Sequence, residues 1–268
     1  MTVDPARVLG SDPYRSPALG RGAPIEAVLF DYGLTLVHFV RPVEALAAAR
    51  VAISELIAAA GHPRCPEALI AEAVHDRVAA ELASHEASGA LEEIDVAALE
   101  ERAFADIGLD LSPNLRDECS VLAQEAWWRG VHLYPDALDV LDQLRSAGLR
   151  VGLCSNAAYR AASMRAQLAH VGLDGVLDAA VFSAEVGWRK PSPQVFAAAL
   201  DALGTRAETT VFVGDRIRED ILGAAQVGMR TVLIARDESA AIGPRLREPD
   251  AVVNSLSELP TLLRVRHL

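Results

Sequence analysis

Five short apolar runs separated by helical patterns constrain this chain more than any other feature. Residues 25–30, 149–154, 179–182, 209–213 and 231–235 each hold at least three apolar residues in a row rather than one at every second position, with polar residues confined to the start of a run (Glu26, Arg150, Thr209, Thr210, Thr231). That pattern predicts strands buried on both faces, as in a parallel sheet. Between them lie helical repeats over residues 160–170, 193–203 and 219–227. A further helix, with Ala137, Leu138, Leu141 and Leu144 on one side, is stopped by Gly148 before the second run. Alternating strands and helices predict an α/β fold, a Rossmann-like parallel sheet covered by helices.

The stretch from Pro42 to Arg129 breaks this rhythm. It is rich in Ala, Leu and Glu, has no strand-like run, and is punctuated by Gly61-His62-Pro63, Ser88-Gly89 and Leu111-Ser112-Pro113. It is also charged differently. Residues 41–130 hold 17 Asp/Glu against 7 Arg, whereas the remainder holds 20 acids against 18 bases. The expected organisation is a loose N-terminal extension (1–23), a core built from 24–40 and 131–268, and an inserted helical cap (41–130). An insert after the first strand sits over the carboxyl ends of the strands, where open α/β sheets bind ligands. Strands near Phe39-Val40 and Gly130-Val131-His132 are expected at the hinge.

Composition narrows the function classes. A formal charge of −12 argues against nucleic acid as a partner. No stretch reaches the roughly 18 apolar residues that a membrane helix needs, and the first residues lack the apolar segment of a signal peptide. The three cysteines, Cys65, Cys119 and Cys154, are widely spaced and form no CxxC pair. They read as reduced thiols of a cytoplasmic protein rather than a disulfide or zinc framework. The acidic cap reads as a solvated helical face.

Four short motifs carry the chemistry. Asp31-Tyr32-Gly33-Leu34-Thr35 follows the first strand and Ser155-Asn156 ends the second. Gly187-Trp188-Arg189-Lys190-Pro191-Ser192-Pro193 precedes a helix, and Gly214-Asp215-Arg216-Ile217-Arg218-Glu219-Asp220 follows the fourth strand. A parallel sheet brings these ends side by side. A free carboxylate can attack phosphorus and form an acyl phosphate. Carboxylate and phosphate repel each other, so a cation must bridge them, and Mg²⁺ with oxygen ligands is the natural choice. Lys190 and the Ser155 hydroxyl would hold phosphoryl oxygens, helped by backbone N–H groups of a helix starting after Asn156. Lys190 is the only lysine in the chain, and a compact ammonium suits phosphate as a point charge.

In this order the motifs resemble those of the haloacid dehalogenase superfamily, subfamily I, over roughly residues 25–235. The most specific parts are Gly187-x-x-Lys190-Pro191-x-Pro193 and the Gly214-Asp215-x₄-Asp220 run that leads into Gly223-Ala224-Ala225-Gln226-Val227-Gly228-Met229. The resemblance implies a Mg²⁺-dependent phosphatase acting on a small phosphorylated metabolite through an aspartyl-phosphate, as a monomer or homodimer. Asp31 would be nucleophile and metal ligand, and the Gly33 carbonyl a second ligand. Ser155, Asn156 and Thr35 would contact substrate. Lys190 would steady the phosphoryl group and the nucleophile. Asp215 and Asp220 would hold the metal, Asp215 the more directly.

The chain departs from that pattern at two positions. The family's phosphatases usually place an aspartate two residues after the nucleophile to protonate the leaving oxygen; here Gly33 stands there. Leu34 stands where the family usually has glycine. Losing a general acid costs roughly 10²–10⁴ in rate. Three outcomes are open: a substrate with a good leaving group such as an anomeric, acyl or enol phosphate; a replacement acid, with His38 and His132 as candidates; or a weakly active or non-catalytic phospholigand-binding protein. Metal-independent haloacid dehalogenases of the superfamily also lack the second aspartate and form a further alternative. Phosphonate-cleaving members use a cap lysine, which this cap does not have. Trp127-Trp128, at the cap's end, reads as packing at the joint with the core.

Overall fold

A computed structural model describes Leu19, residues 23–236 and residues 248–264. The expected N-terminal extension therefore lies almost wholly outside the described residues. Six strands form one parallel sheet in the order β5-β4-β1-β6-β7-β8. They are β1 (Ala27–Phe30), β4 (Arg150–Ser155), β5 (Ala179–Phe182), β6 (Thr210–Gly214), β7 (Arg230–Ile234) and β8 (Ala251–Val253). The first five match the apolar runs to within two residues at each end. β8 was not anticipated. It pairs with β7 through Val232, Leu233 and Ile234.

The alternation of side chains explains why both faces are apolar. Val28, Phe30, Val151, Leu153, Val211 and Val213 point into one core cluster. Ala27, Leu29, Cys154 and Phe212 point into another on the opposite face. The first cluster is closed by helices α6 (Ala137–Ser146) and α7 (Ala161–His170), the second by α9 (Pro193–Leu203) and α10 (Gly223–Gln226). Each strand thus needs apolar residues at every position, which is the pattern in the sequence.

Between β1 and α6 the chain forms the helical cap. Its helices are α1 (Val43–Ala59), α2 (Glu67–Leu69), α3 (Arg77–Ser88), α4 (Val96–Asp106) and α5 (Pro113–Trp128). A π-helical stretch, Ile70–Asp76, joins α2 to α3. The breaks seen in the sequence become helix ends. Ser112 accepts a hydrogen bond from Leu115 N–H with Pro113 at the first turn, and Gly89 closes α3 at φ 72°. The cap has its own apolar core, including Ile53, Ile57, Ile70, Phe104 and Leu115. It is mounted on a two-stranded antiparallel ribbon, β2 (Val37–Phe39) against β3 (Val131–Leu133).

Candidate active site

The carboxyl ends of β1, β4 and β6 meet beneath the cap. Asp31 follows β1, and its N–H donates to Val213 O on β6 at 2.9 Å, which fixes the backbone at the sheet's rim. The next residues turn back sharply: Leu36 and Val37 N–H both donate to Tyr32 O, and Leu34 N–H donates to Val37 O at 2.7 Å. Leu34 sits in the left-handed region at φ 60°, a conformation that costs a branched side chain about 1–2 kcal/mol. Its side chain is 45% exposed and lines the cavity between core and cap.

Lys190 is the centre of the site. Its Nζ lies 2.5 Å from Asp31 Oδ1 and 2.6 Å from Asp220 Oδ1, and it is 3% exposed. Two carboxylates outweigh the burial that opposes its charge, so its pKa is raised and the ammonium is held. Asn156 clamps the lysine's backbone, accepting from Lys190 N–H at 2.7 Å and donating to Lys190 O at 3.2 Å. The Asn156 side chain therefore positions the lysine, although the residue also lines the cavity.

Asp220 is fully committed as well. Its second oxygen accepts from Arg216 N–H at 2.9 Å. That closure explains Gly214: a Cβ there would lie 2.3 Å from Asp220 Oδ2. Asp215 is the opposite case, since its Oδ1 is buried and has no hydrogen-bond partner among the described residues. One carboxylate oxygen from each of Asp31, Asp215 and Asp220 lies within 4.8 Å of the others. Burial, reinforced by the charges of Asp220 and Asp31, pushes Asp215 up to about 7. Burial and Asp220 push Asp31 up to about 6 against the pull of Lys190. A cluster with this much like charge and an orphaned oxygen fits a hard divalent cation.

Other expected groups fall in different places. Ser155 ends β4, is buried and lines the cavity with Gly33. Thr35 is fully buried within the turn, its Oγ1 lacks a partner among the described residues, and it is not among the residues that line the cavity. The helix expected over residues 160–170 is α7, which begins at Ala161; between it and Asn156, Ala157 N–H donates to Ser183 Oγ at 2.8 Å. His38 and His132 face each other across the hinge ribbon, ring centroids 5.4 Å apart, and neither lines the cavity. Trp127 lines the cavity, while Trp128 packs against His170.

Sequence reasoning missed the seam between cap and core. Arg189, which is 5% exposed, bonds Glu86 at 2.6 Å and Glu93 at 3.4 Å. Arg189 N–H donates to Leu91 O, Glu93 N–H donates to Gly187 O, and Glu92 bridges Trp188 as a short antiparallel pair. The cap loop thus lies along the backbone just ahead of Lys190. The one signal in the sequence was an arginine beside the lysine; its partners are about a hundred residues away.

A family model for haloacid dehalogenase-like hydrolases matches residues 25–228. The chain belongs to this family. Among curated relatives, a glyceraldehyde 3-phosphate phosphatase from Methanopyrus kandleri is 32% identical over 160 residues, 59% of this chain and 68% of that enzyme. A ribulose-1,5-bisphosphate 5-phosphatase from Halopiger xanaduensis is 32% identical over 149 residues, 52% of this chain and 62% of that enzyme. The chain thus spans about two thirds of the length of these relatives. The solved structure of a 2-haloacid dehalogenase from Pseudomonas syringae pv. Tomato DC3000 superposes at a TM-score of 0.59, with 26% identity, covering 90% of this chain and 98% of that one. As a haloacid dehalogenase-like protein the chain is a hydrolase, and its parallel sheet with a helical cap is the family's architecture.

Proposed function

We propose that this hydrolase cleaves small phosphomonoesters with Mg²⁺ and that Asp31 is the nucleophile. The observation that carries the reading is the pairing of a held ammonium with an incompletely used carboxylate cluster. Lys190 bridges Asp31 and Asp220, while Asp215, whose carboxylate lies in the same cluster, keeps a buried oxygen without a hydrogen-bond partner among the described residues. Asp31, Asp215 and the Gly33 carbonyl would hold the cation, with Asp220 behind them fixing Lys190. A bound Mg²⁺ would offset the repulsion between carboxylate and phosphate and polarise the phosphoryl group. Lys190 orients the Asp31 oxygen that attacks phosphorus, and the Ser155 hydroxyl donates to a phosphoryl oxygen. The ester oxygen leaves with its bonding pair, giving an aspartyl-phosphate that water hydrolyses. The phosphatase names of the curated relatives support this reading.

A second reading, attack of Asp31 on carbon with loss of halide, is favoured by the likeness to the dehalogenase structure. It gives no role to the unpartnered Asp215 oxygen. The test is turnover of an aryl phosphate with Mg²⁺, with EDTA, and with Asp31→Asn. Activity lost in both controls is expected. Chloride release from 2-chloropropionate without metal, and no phosphate release, would overturn the phosphatase. Mg²⁺ binding without turnover of either substrate would leave a phospholigand-binding protein.

A further inference from the structure

We infer that the cavity takes phosphate esters of acidic hydroxyls carried on flat, largely apolar groups, phenols or enols, whose leaving oxygen departs without a proton from the protein. This rests on the reading of Asp31 as a nucleophile toward phosphorus and specifies its substrate.

The first support is the set of proton-bearing groups around the cavity. Its volume is about 470 Å³, room for more than a phosphate. Outside the acidic cluster, its carboxyl groups are Glu86 and Glu219. Glu86 already accepts from Arg189 at 2.6 Å and Glu219 from Arg218 at 3.4 Å, so both serve as acceptors. Lys190 is fixed between two carboxylates. The Tyr32 hydroxyl is buried away from the open space of the cavity, and burial raises the Tyr159 phenol above its ordinary range, which makes it a poorer acid. The two hinge histidines do not reach the cavity wall. No lining group among the described residues combines a transferable proton with a free approach to the leaving oxygen.

The second support is what fills the space beside the nucleophile. Gly33 stands two residues after Asp31, and a Cβ built there would meet the Phe39 ring at 3.0 Å. An apolar ring therefore occupies the place into which a side chain at residue 33 would extend. Leu34, Leu82, Trp127 and Met164 continue the apolar wall. Phe39 and Trp127 are 44% and 36% exposed, rings left open to a flat partner.

The step balances without a protein acid. The Asp31 oxygen bonds to phosphorus, the ester P–O bond breaks, and the aryloxide or enolate keeps the electron pair and takes a proton from bulk water. Water then attacks phosphorus, the bond to Asp31 breaks, and the water's proton passes to solvent or to the released phosphate. Only leaving groups of low basicity tolerate this, because protonation of the leaving oxygen is worth roughly 10²–10⁴ in rate.

The test uses the full chain with Mg²⁺ and three substrate arms: substituted phenyl phosphates of graded acidity, the apolar enol ester 1-phenylvinyl phosphate, and alkyl phosphates. The expected result is kcat/KM falling steeply as the leaving group becomes more basic, with alkyl esters at least ~10²-fold slower than phenyl phosphate. The faster of the first two arms tells phenol from enol. Benzylphosphonate should bind about tenfold tighter than ethylphosphonate, a preference lost in Trp127→Ala. Gly33→Asp combined with Phe39→Ala should narrow the gap between aryl and alkyl esters. Equal turnover of alkyl and aryl phosphates would overturn this inference and leave the phosphatase standing. Failure of every ester to turn over in an Asp31-dependent way would overturn the phosphatase reading itself.

Discussion

The two walls of the cavity are built on opposite plans. The core wall is charged and tied down: Asp31 and Asp215 follow the ends of β1 and β6, Lys190 bridges Asp31 to Asp220, and Lys190 and Asp220 are bonded to Asn156 and to the Arg216 backbone. The cap wall is mostly apolar, with Ala79, Leu82, Ala83 and Trp127 on helices whose own core is separate from the sheet's. Strand ends in a parallel sheet are fixed by neighbours on both sides, so they suit groups that must be placed to a fraction of an ångström. Helices on a ribbon mount suit recognition by shape. The difference teaches that chemistry and choice of substrate are separable here, and variants on each wall should show it.

The largest expected effect is on the core wall. Asp31→Asn should lower kcat on the order of 10⁴–10⁶-fold while leaving the melting temperature unchanged or higher, since a buried carboxylate is removed; steady-state kinetics and calorimetry together check this. Lys190→Met comes next. It leaves Asp31 and Asp220 facing each other without a cation and should cost about 3–5 kcal/mol of stability, read by urea unfolding without metal.

Cation binding should then be strongly pH-dependent. Asp31 and Asp215, raised to about 6 and about 7, hold protons in the fold that the unfolded chain gives up near pH 4. An acid whose folded pKa is raised stabilises the fold below its unfolded pKa, and that contribution is lost as pH rises through the folded value. The metal-free melting temperature should therefore lose this contribution between pH 4 and 7. The stabilisation by Mg²⁺ should grow across the upper part of that range, reaching about 2.7 kcal/mol at a hundredfold excess over Kd. In Asp215→Asn most of the Mg²⁺ effect should vanish; thermal shift with and without EDTA measures both.

On the cap wall, Trp127→Ala should raise KM for aryl phosphates about tenfold with kcat little changed, which would sharpen the division of labour. A kcat loss as large as that of the core variants would break it. Smallest of all, Arg77→Ala removes exposed bonds to Glu81 and Asp106 on the cap's surface. It should leave the urea midpoint almost unchanged with no kinetic effect.

The sheet was legible because burial on both faces writes itself as apolar residues side by side, such as Ala27-Val28-Leu29-Phe30 and Val211-Phe212-Val213. The four motifs were legible because each sits where such a run ends. What stayed hidden follows the same logic. The three-residue strand β8 is too short to show a period. The π-helical turn over Ile217–Leu222 carries Asp220 back onto Lys190 in a conformation that ordinary helical spacing does not suggest. The left-handed Leu34 goes against its residue type. The Arg189 seam joins positions far apart in sequence, and pattern within a window cannot reach it.

The hinge ribbon has a consequence for how such a molecule changes over time. The chain leaves the sheet along β2 and returns along β3, and Val40 N–H donates to Gly130 O at 2.7 Å where the two crossings touch. They touch so closely that a methyl group at Gly130 would lie 1.8 Å from Val40 O. Outgoing and incoming segments therefore share one docking port, like the two pins of a plug. The segments beyond the port can be lengthened, shortened or exchanged as a cassette, provided that the replacement presents two ends the same short distance apart and keeps Glu86 and the loop around Leu91 and Glu93 against Arg189.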